Sequence, residues 1–367
     1  MRRRTAREPP LTGWRVAMRG QTPATNITEG VPDMGRTSTR SRRRITAGLT
    51  FSALLLAACG SSSSPSPAEN SGTAVAGPSV QQNIASEVPA AIKSSAPLQI
   101  ATDATYQPNE YVDPNTGEVK GWDIDLAKAV CKVWGVTCTI NNVTFADIIP
   151  ALLENPPKYV MAWSSYSPTA AREAKGIDFV TYAKVGEAWV EHVGGATISQ
   201  PSDMCGHNVA VEGGTTEESD AWGFMGQSPG GAPISGDVNH CKAAGKPDIT
   251  VQSFSTQTQA DAALNSGRSD YGWLDASVAY YEVKVRAGKL QIGGQVCGIA
   301  PYGVAMAHSS GLQQATQDAI KYLIDHGFYK QTLDTWNVAT VGVASADVGV
   351  NVNSSAGSGT QACVPTY

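Results

Sequence analysis

The chain has 367 residues, 41% of them hydrophobic and 16% charged, with a formal net charge of −5. Residues 1–58 hold 11 Arg against Glu8, Glu29 and Asp33, which leaves 16 basic and 29 acidic residues, net −13, in the remainder. That length supports a buried core of one large or two modest folded units, and an acidic body argues against nucleic acid, whose phosphates need a basic face.

The basic start reads as an export signal spanning residues 1–58. RTSTRSRRR (36–44) precedes the short apolar run ITAGLTFSALLLAA (45–58), which ends in small residues. Fourteen residues are too few for a comfortable membrane span. The basic stretch lies far from Met1, so Met34 is the expected true start. LAAC (56–59) resembles the lipobox of bacterial lipoproteins, which implies lipidation of Cys59 and attachment to a membrane surface. GSSSSPSPAENSGTAVAGPS follows and cannot bury a core, so residues 59–96 are expected to form a flexible tether.

Folding is expected to begin near Pro97. LQIAT (98–102) reads as a strand, and DIDLAKAVCKVW (123–134) as a helix with Ile124, Ala127, Cys131 and Trp134 on one face. VTCTI, VMAW, NVAV, DITV and YGWL read as buried strands. FADIIPALL, TEESDAWGF, TQTQADAALNSG, ASVAYYEVKV and GLQQATQDAIKYLIDHG read as the helices between them. This alternation predicts an α/β fold with a largely parallel sheet, whose ligands sit beyond the carboxyl ends of the strands. Residues 341–367 form a C-terminal tail, in which NSSAGSGTQ is a loose segment leading to Cys363.

Setting Cys59 aside leaves six cysteines, an even number that suits an oxidising compartment. Cys131 and Cys138 flank a helix end and the next strand, close enough to bridge. Cys205 with Cys241 and Cys297 with Cys363 would complete three pairs, one of fifteen connectivities. CGH (205–207) and HC (240–241) gather two Cys and two His, but Cys205 and His207 are closer than zinc ligands usually stand. No metal or cofactor is expected. GQSPG (226–230) matches a nucleophile elbow in letters only, because Pro229 removes the N–H that an oxyanion hole needs. DPNTGE (113–118) reads as a hairpin turn.

Three segments carry the binding chemistry. SSYSPTAAR (164–172) lines up Ser165, Ser167 and Thr169 with Arg172, whose planar fork suits a carboxylate. VEGGTTEE (211–218) ends a strand in glycines before a threonine-capped helix, where backbone N–H groups can approach an anion. GRSDYGWLDAS (267–277) presents Asp275 at a strand end, where it could also simply cap the next helix. A free α-amino acid would satisfy all three, with its carboxylate on Arg172 and its ammonium on Asp275.

GWDIDLAKAVCKVW, ATDATYQPNEYVD, TFADIIPALL, SSYSPTAAR, GGTTEE, GRSDYGWLD and GLQQATQDAIKYLIDHGFYKQTLDTWNV together resemble the family 3 bacterial solute-binding proteins, over about residues 97–340. Trp122 stands where that family more often has a smaller residue. The resemblance implies a two-lobed, periplasmic-binding-protein-like (type II) clamp with two hinge crossovers, near 187–192 and 299–304. Lobe 1 would comprise 97–189 plus 302–340, and lobe 2 residues 190–301, with 223–247 an insertion. By the same resemblance Arg172, Ser167, Thr169 and Thr216 would bind the ligand's carboxylate, alongside Thr215 of the same loop. Asp275 would take the ammonium, with a backbone acceptor at Ser165. Tyr106 and Phe145 would sandwich the ligand side chain, and Asp103 would reach its distal end. Glu212, where an apolar residue is more usual, favours a polar or cationic side chain together with Asp103.

The function implied is that of a non-enzymatic extracytoplasmic receptor. It would be a lipid-anchored monomer that hands a free amino acid to the permease of an ABC importer. A receptor coupled to a membrane kinase would need the same clamp. A dehydratase on this fold would need an acid–base residue facing the cleft, and Glu212 is the sole extra candidate.

Overall fold

The computed structural model describes residues 77–352 and Cys363; the expected export signal, Cys59, residues 60–76 and the expected loose segment NSSAGSGTQ lie outside them. Structure begins before the expected start at Pro97. Helices Gln82–Glu87 and Ala90–Ser94 precede the first strand, and Ile84 and Val88, four residues apart on one face, are buried in the main core. The sparse apolar residues of this Ser- and Pro-rich stretch hid that face.

Eight strands form one sheet. They are β1 (Leu98–Thr102), β2 (Cys138–Asn142), β3 (Met161–Tyr166), β4 (Ile177–His192), β5 (Asn208–Glu212), β6 (Thr250–Phe254), β7 (Tyr271–Asp275) and β8 (Leu290–Ala307). Their order is β6-β5-β7-β4-β8-β3-β1-β2. The outer groups are parallel, as the strand–helix alternation predicts: β1 pairs with β2 and β3, and β5 with β6 and β7. The centre differs from the parallel expectation. β4 pairs antiparallel with β7 and β8, and β8 antiparallel with β3.

Those two long strands join two lobes. The β3 side meets β8 around Gly303 and Ala305, whereas β7 meets β4 at Glu187–Glu191. Register shifts in the β8–β4 pairing fall between Gly293 and Cys297, Cys297 and Ala300, and Tyr302 and Gly303. Strands of 16 and 18 residues were missed because β4 is buried on both faces along most of its length, so it shows no alternation of polar and apolar residues.

Helices pack against this sheet. They are α1 (Trp122–Trp134), α2 (Phe145–Leu152), α3 (Ala170–Glu173), α4 (Thr216–Gly223), α5 (Gln257–Asn265), α6 (Ala276–Val285), α7 (Gln313–Asp325) and α8 (Phe328–Trp336). On α1, Ile124, Ala127, Cys131 and Trp134 are all buried, and the Trp134 indole N–H donates to the Ala315 carbonyl at 3.1 Å. The helix starts on Gly121 with φ 139°, where a Cβ would stand 1.8 Å from the Asn109 carbonyl oxygen, so only glycine fits.

DPNTGE forms the expected turn, between strands Glu110–Val112 and Val119–Lys120, with Asp113 accepting from the Asn115 N–H at 2.8 Å. Segment 223–247 carries a small hairpin, Gln227–Ser228 with Ala232–Pro233, and the helix His240–Ala243. The six cysteines stand in the expected pairs at bonding distance: Cys131–Cys138 at 1.94 Å, Cys205–Cys241 at 1.97 Å and Cys297–Cys363 at 2.12 Å.

Candidate functional site

Strand ends and helix starts of both lobes meet at one narrow cavity of about 10 Å³, roughly the room of a single water. Tyr106, Phe145, Ser165, Ser167, Arg172, Thr215, Thr216, Glu217 and Asp275 line it. Wider cavities lie elsewhere. One of about 660 Å³ beside the crossover strands is mainly apolar, lined by Tyr280, Ile299 and Trp336 among others, and lacks facing charges of opposite sign among the described residues.

Arg172 sits on α3, 8% exposed. Thr169 caps that helix by accepting from the Arg172 N–H at 3.2 Å; it does not line the cavity. The guanidinium donates to the Ser167 carbonyl at 2.7 Å and, across the cleft, to the Gly214 carbonyl at 2.9 Å. It also lies over the rings of Tyr166 and Phe145, at 5.0 and 5.5 Å. Burial holds its pKa below the usual arginine value. No carboxylate among the described residues forms an ion pair with it. A buried cation served only by carbonyls and ring faces is costly, which suits the arrival of an anion.

The opposite wall is acidic. Asp275 ends β7 at the N-cap position of α6, yet its side chain makes no cap hydrogen bond and lines the cavity instead. Its carboxyl is pushed well above the usual range by burial and by Glu217. Glu217, in the first turn of α4, is raised by burial, and its Oε1 has no hydrogen-bond partner among the described residues. Sequence reasoning missed Glu217. It lies inside GGTTEE, directly after the threonines, but two consecutive acids at a helix start read as ordinary dipole partners. Thr215 caps α4, accepting from the Glu218 N–H at 3.1 Å and donating to the Glu212 carbonyl at 2.7 Å. Both Thr215 and Thr216 line the cavity, and the Thr216 hydroxyl donates to Glu217 at 3.2 Å.

Ser165 holds φ 51°, a left-handed conformation rare outside glycine that costs about 1–3 kcal/mol. Its surroundings fix it: its N–H donates to Asp123 at 3.2 Å, and its hydroxyl accepts from the Asn109 amide at 3.0 Å and donates to Glu110 at 3.3 Å. Backbone strain held this way next to a cavity is the mark of a preformed site. Tyr106 and Phe145 face the cavity with ring centroids 6.0 Å apart. Tyr166, which sequence reasoning did not single out, stacks on Phe145 at 4.3 Å and donates to its carbonyl at 2.9 Å.

Asp103 and Glu212 do not line the cavity; they stand with Tyr106, which does. Asp103 accepts from the Thr105 hydroxyl at 2.7 Å and the Phe145 N–H at 2.8 Å, so it holds the aromatic wall in place. Glu212, at the end of β5, is 1% exposed; neither carboxyl oxygen meets a full hydrogen-bond geometry among the described residues, and the Tyr106 hydroxyl and the Asp103 carboxyl are the polar side chains that interact with it. Burial first, and then the negative charge of Asp103, push its pKa up to about 10. Cys205 and Cys241 of the CGH and HC segments stand with their sulfurs 1.97 Å apart, at disulfide distance.

A buried guanidinium thus faces buried carboxyls across a cleft between two lobes, beside an aromatic wall. Residues 98–339 match the bacterial extracellular solute-binding proteins, family 3. The chain belongs to that family. Among family relatives it is 26% identical to the arginine-binding protein ArgT of Corynebacterium glutamicum, over 68% of this chain and 77% of that one. It is 25% identical to the putative ABC transporter arginine-binding protein 2 of Escherichia coli, over 65% of this chain and 90% of that one. A solved ancestral arginine-binding protein bound to arginine superimposes with TM-score 0.55 and 30% identity, covering 65% of this chain and 97% of the other. As a family 3 protein the chain has the type II clamp fold, with α/β lobes joined by the two crossover strands β4 and β8.

Proposed function

We propose that this chain is an extracytoplasmic receptor that closes on a free amino acid with a cationic side chain, arginine foremost, and presents it to an ABC importer. The observation that carries the proposal is Arg172, a buried cation without a carboxylate partner among the described residues, set across a cavity from the carboxyls of Asp275 and Glu217. A zwitterion complements that pair of charges. Its carboxylate takes the Arg172 fork, with Ser167, Thr215 and Thr216 near it, and its ammonium takes Asp275 and Glu217. Tyr106 and Phe145 flank the side chain, whose cationic end lies toward Glu212 and Asp103. The relatives named for arginine and the orphaned carboxyl of Glu212 both favour a cation there.

In this reading the lobes are 97–189 with 302–340, and 190–301. The three cysteine pairs are disulfides of an oxidising compartment, Cys59 carries the lipid anchor, and the receptor acts as a monomer without catalysis. A binder stabilises only its folded state, so ligand raises the melting temperature by mass action. The test is thermal unfolding against the twenty amino acids, ornithine and citrulline. A selective rise with arginine, lysine or ornithine that Arg172→Ala abolishes supports the proposal. A rise with none of them refutes it.

A further inference from the structure

Glu212 is the one site carboxyl among the described residues whose two oxygens are both buried and unpartnered. The groups facing it come from several elements. Asp103 follows β1, Tyr106 lies on the short strand Thr105–Tyr106, Glu217 belongs to α4, and Tyr166 ends β3. None of them is a cation. Burial raises the Asp103 carboxyl, and the Thr105 hydroxyl and the Phe145 N–H it accepts from oppose that rise, so of the two neighbouring acids Asp103 is the better served as an anion. A second negative charge beside it, out of water and with only the Tyr106 hydroxyl able to donate to it, is disfavoured.

We infer that Glu212 is a proton–cation exchanger: it holds a proton in the ligand-free receptor and gives that proton up when a cationic side chain takes its place. The inference rests on the amino-acid reading above and deepens it. The balance is one for one. Before binding, the Asp103–Glu212 pair holds one proton and one negative charge between them. Afterwards two carboxylates face one guanidinium, so the local charge is again −1, and one proton has left for solvent. A neutral side chain of similar length, such as the ureido group of citrulline, drives no such exchange. The site therefore discriminates between arginine and its neutral analogues in a pH-dependent manner, arginine gaining as pH rises toward the proton's release. The high pKa of Glu212, set by burial and by Asp103, agrees with a proton retained at neutral pH.

Titration calorimetry of the full-length protein with L-arginine, in buffers of differing ionisation heat at pH 7, counts the protons released. The expected result is at least one proton per arginine, Glu212 contributing one beyond any that Asp275 and Glu217 lose to the ligand's ammonium, with affinity rising as pH rises between about pH 6 and 8. Citrulline, where it binds, shows about one proton fewer and a slope shallower by that one proton. Glu212→Gln lowers the arginine count by about one and flattens its slope. Arginine that binds wild type with no proton released overturns the exchange while leaving the amino-acid receptor standing, and so does an undiminished count in a Glu212→Gln protein that binds. Should that variant not bind, the wild-type count alone decides. No binding of arginine or any other amino acid removes both readings together.

Discussion

Arg172 and Glu212 are buried ionisable groups that the fold leaves incompletely served, one a cation and the other an acid. Truncating one partner of a buried, hydrogen-bonded charge pair typically costs about 2–5 kcal/mol. Arg172→Ala should therefore weaken amino-acid binding by at least about 30-fold in calorimetry, with the protein still folded by circular dichroism. Glu212 makes a prediction about stability. Its pKa is up to about 10 in the folded state, above the ordinary carboxyl value of the unfolded chain. The folded state therefore binds the proton more tightly, and this contribution is complete at pH below the unfolded value. It falls away as pH rises from about 5 toward 10. The melting temperature of ligand-free wild type should decline across that range more steeply than that of Glu212→Gln. Parallel curves for the two proteins would show that Glu212 does not hold its proton.

At the scale of elements, what the sequence revealed depended on how each face is buried. The α1 face was legible because a helix with one solvated side keeps a 3.6-residue rhythm, and the segments ending in Thr102, Glu212 and Asp275 were legible as short apolar runs between helices. β4 and β8 were not legible as long strands, since double-sided burial and glycine-rich register shifts erase any period. The same reasoning separates the site residues. Arg172 stood out as the lone charge closing a hydroxyl-rich run and Asp275 as a carboxylate at a strand end, whereas Glu217 was camouflaged as a helix-dipole acid and Thr169 proved to be a cap. Tyr166 was hidden among the hydroxyls of SSYSPTAAR, although its ring supports both Phe145 and Arg172. Gly121 offers a test of element placement. Gly121→Ala would drive a Cβ to within 1.8 Å of the Asn109 carbonyl oxygen, and Asn109 also anchors Ser165 and Trp122. The variant should lose about 2 kcal/mol or more of stability in urea unfolding, with weaker ligand binding through Ser165. Wild-type stability would mean that this loop has slack.

For the whole molecule, the narrow cavity and the hydrogen bond from Arg172 to Gly214 across the cleft describe lobes drawn together. On the proposed reading, a free amino acid, which needs far more room than a single water, enters with the lobes apart and is held with them together, the bend falling where β4 and β8 lose register. Small-angle scattering should show the radius of gyration falling when arginine is added, and Arg172→Ala should remove that response.

The most direct test of the central claim is thermal unfolding of the purified protein against the panel of free amino acids, run side by side with Arg172→Ala and Asp275→Asn. The account predicts a rise in melting temperature confined to amino acids with cationic side chains, growing with ligand concentration and absent or much reduced in both variants. A rise that survives in Arg172→Ala, or none with any amino acid, would contradict it.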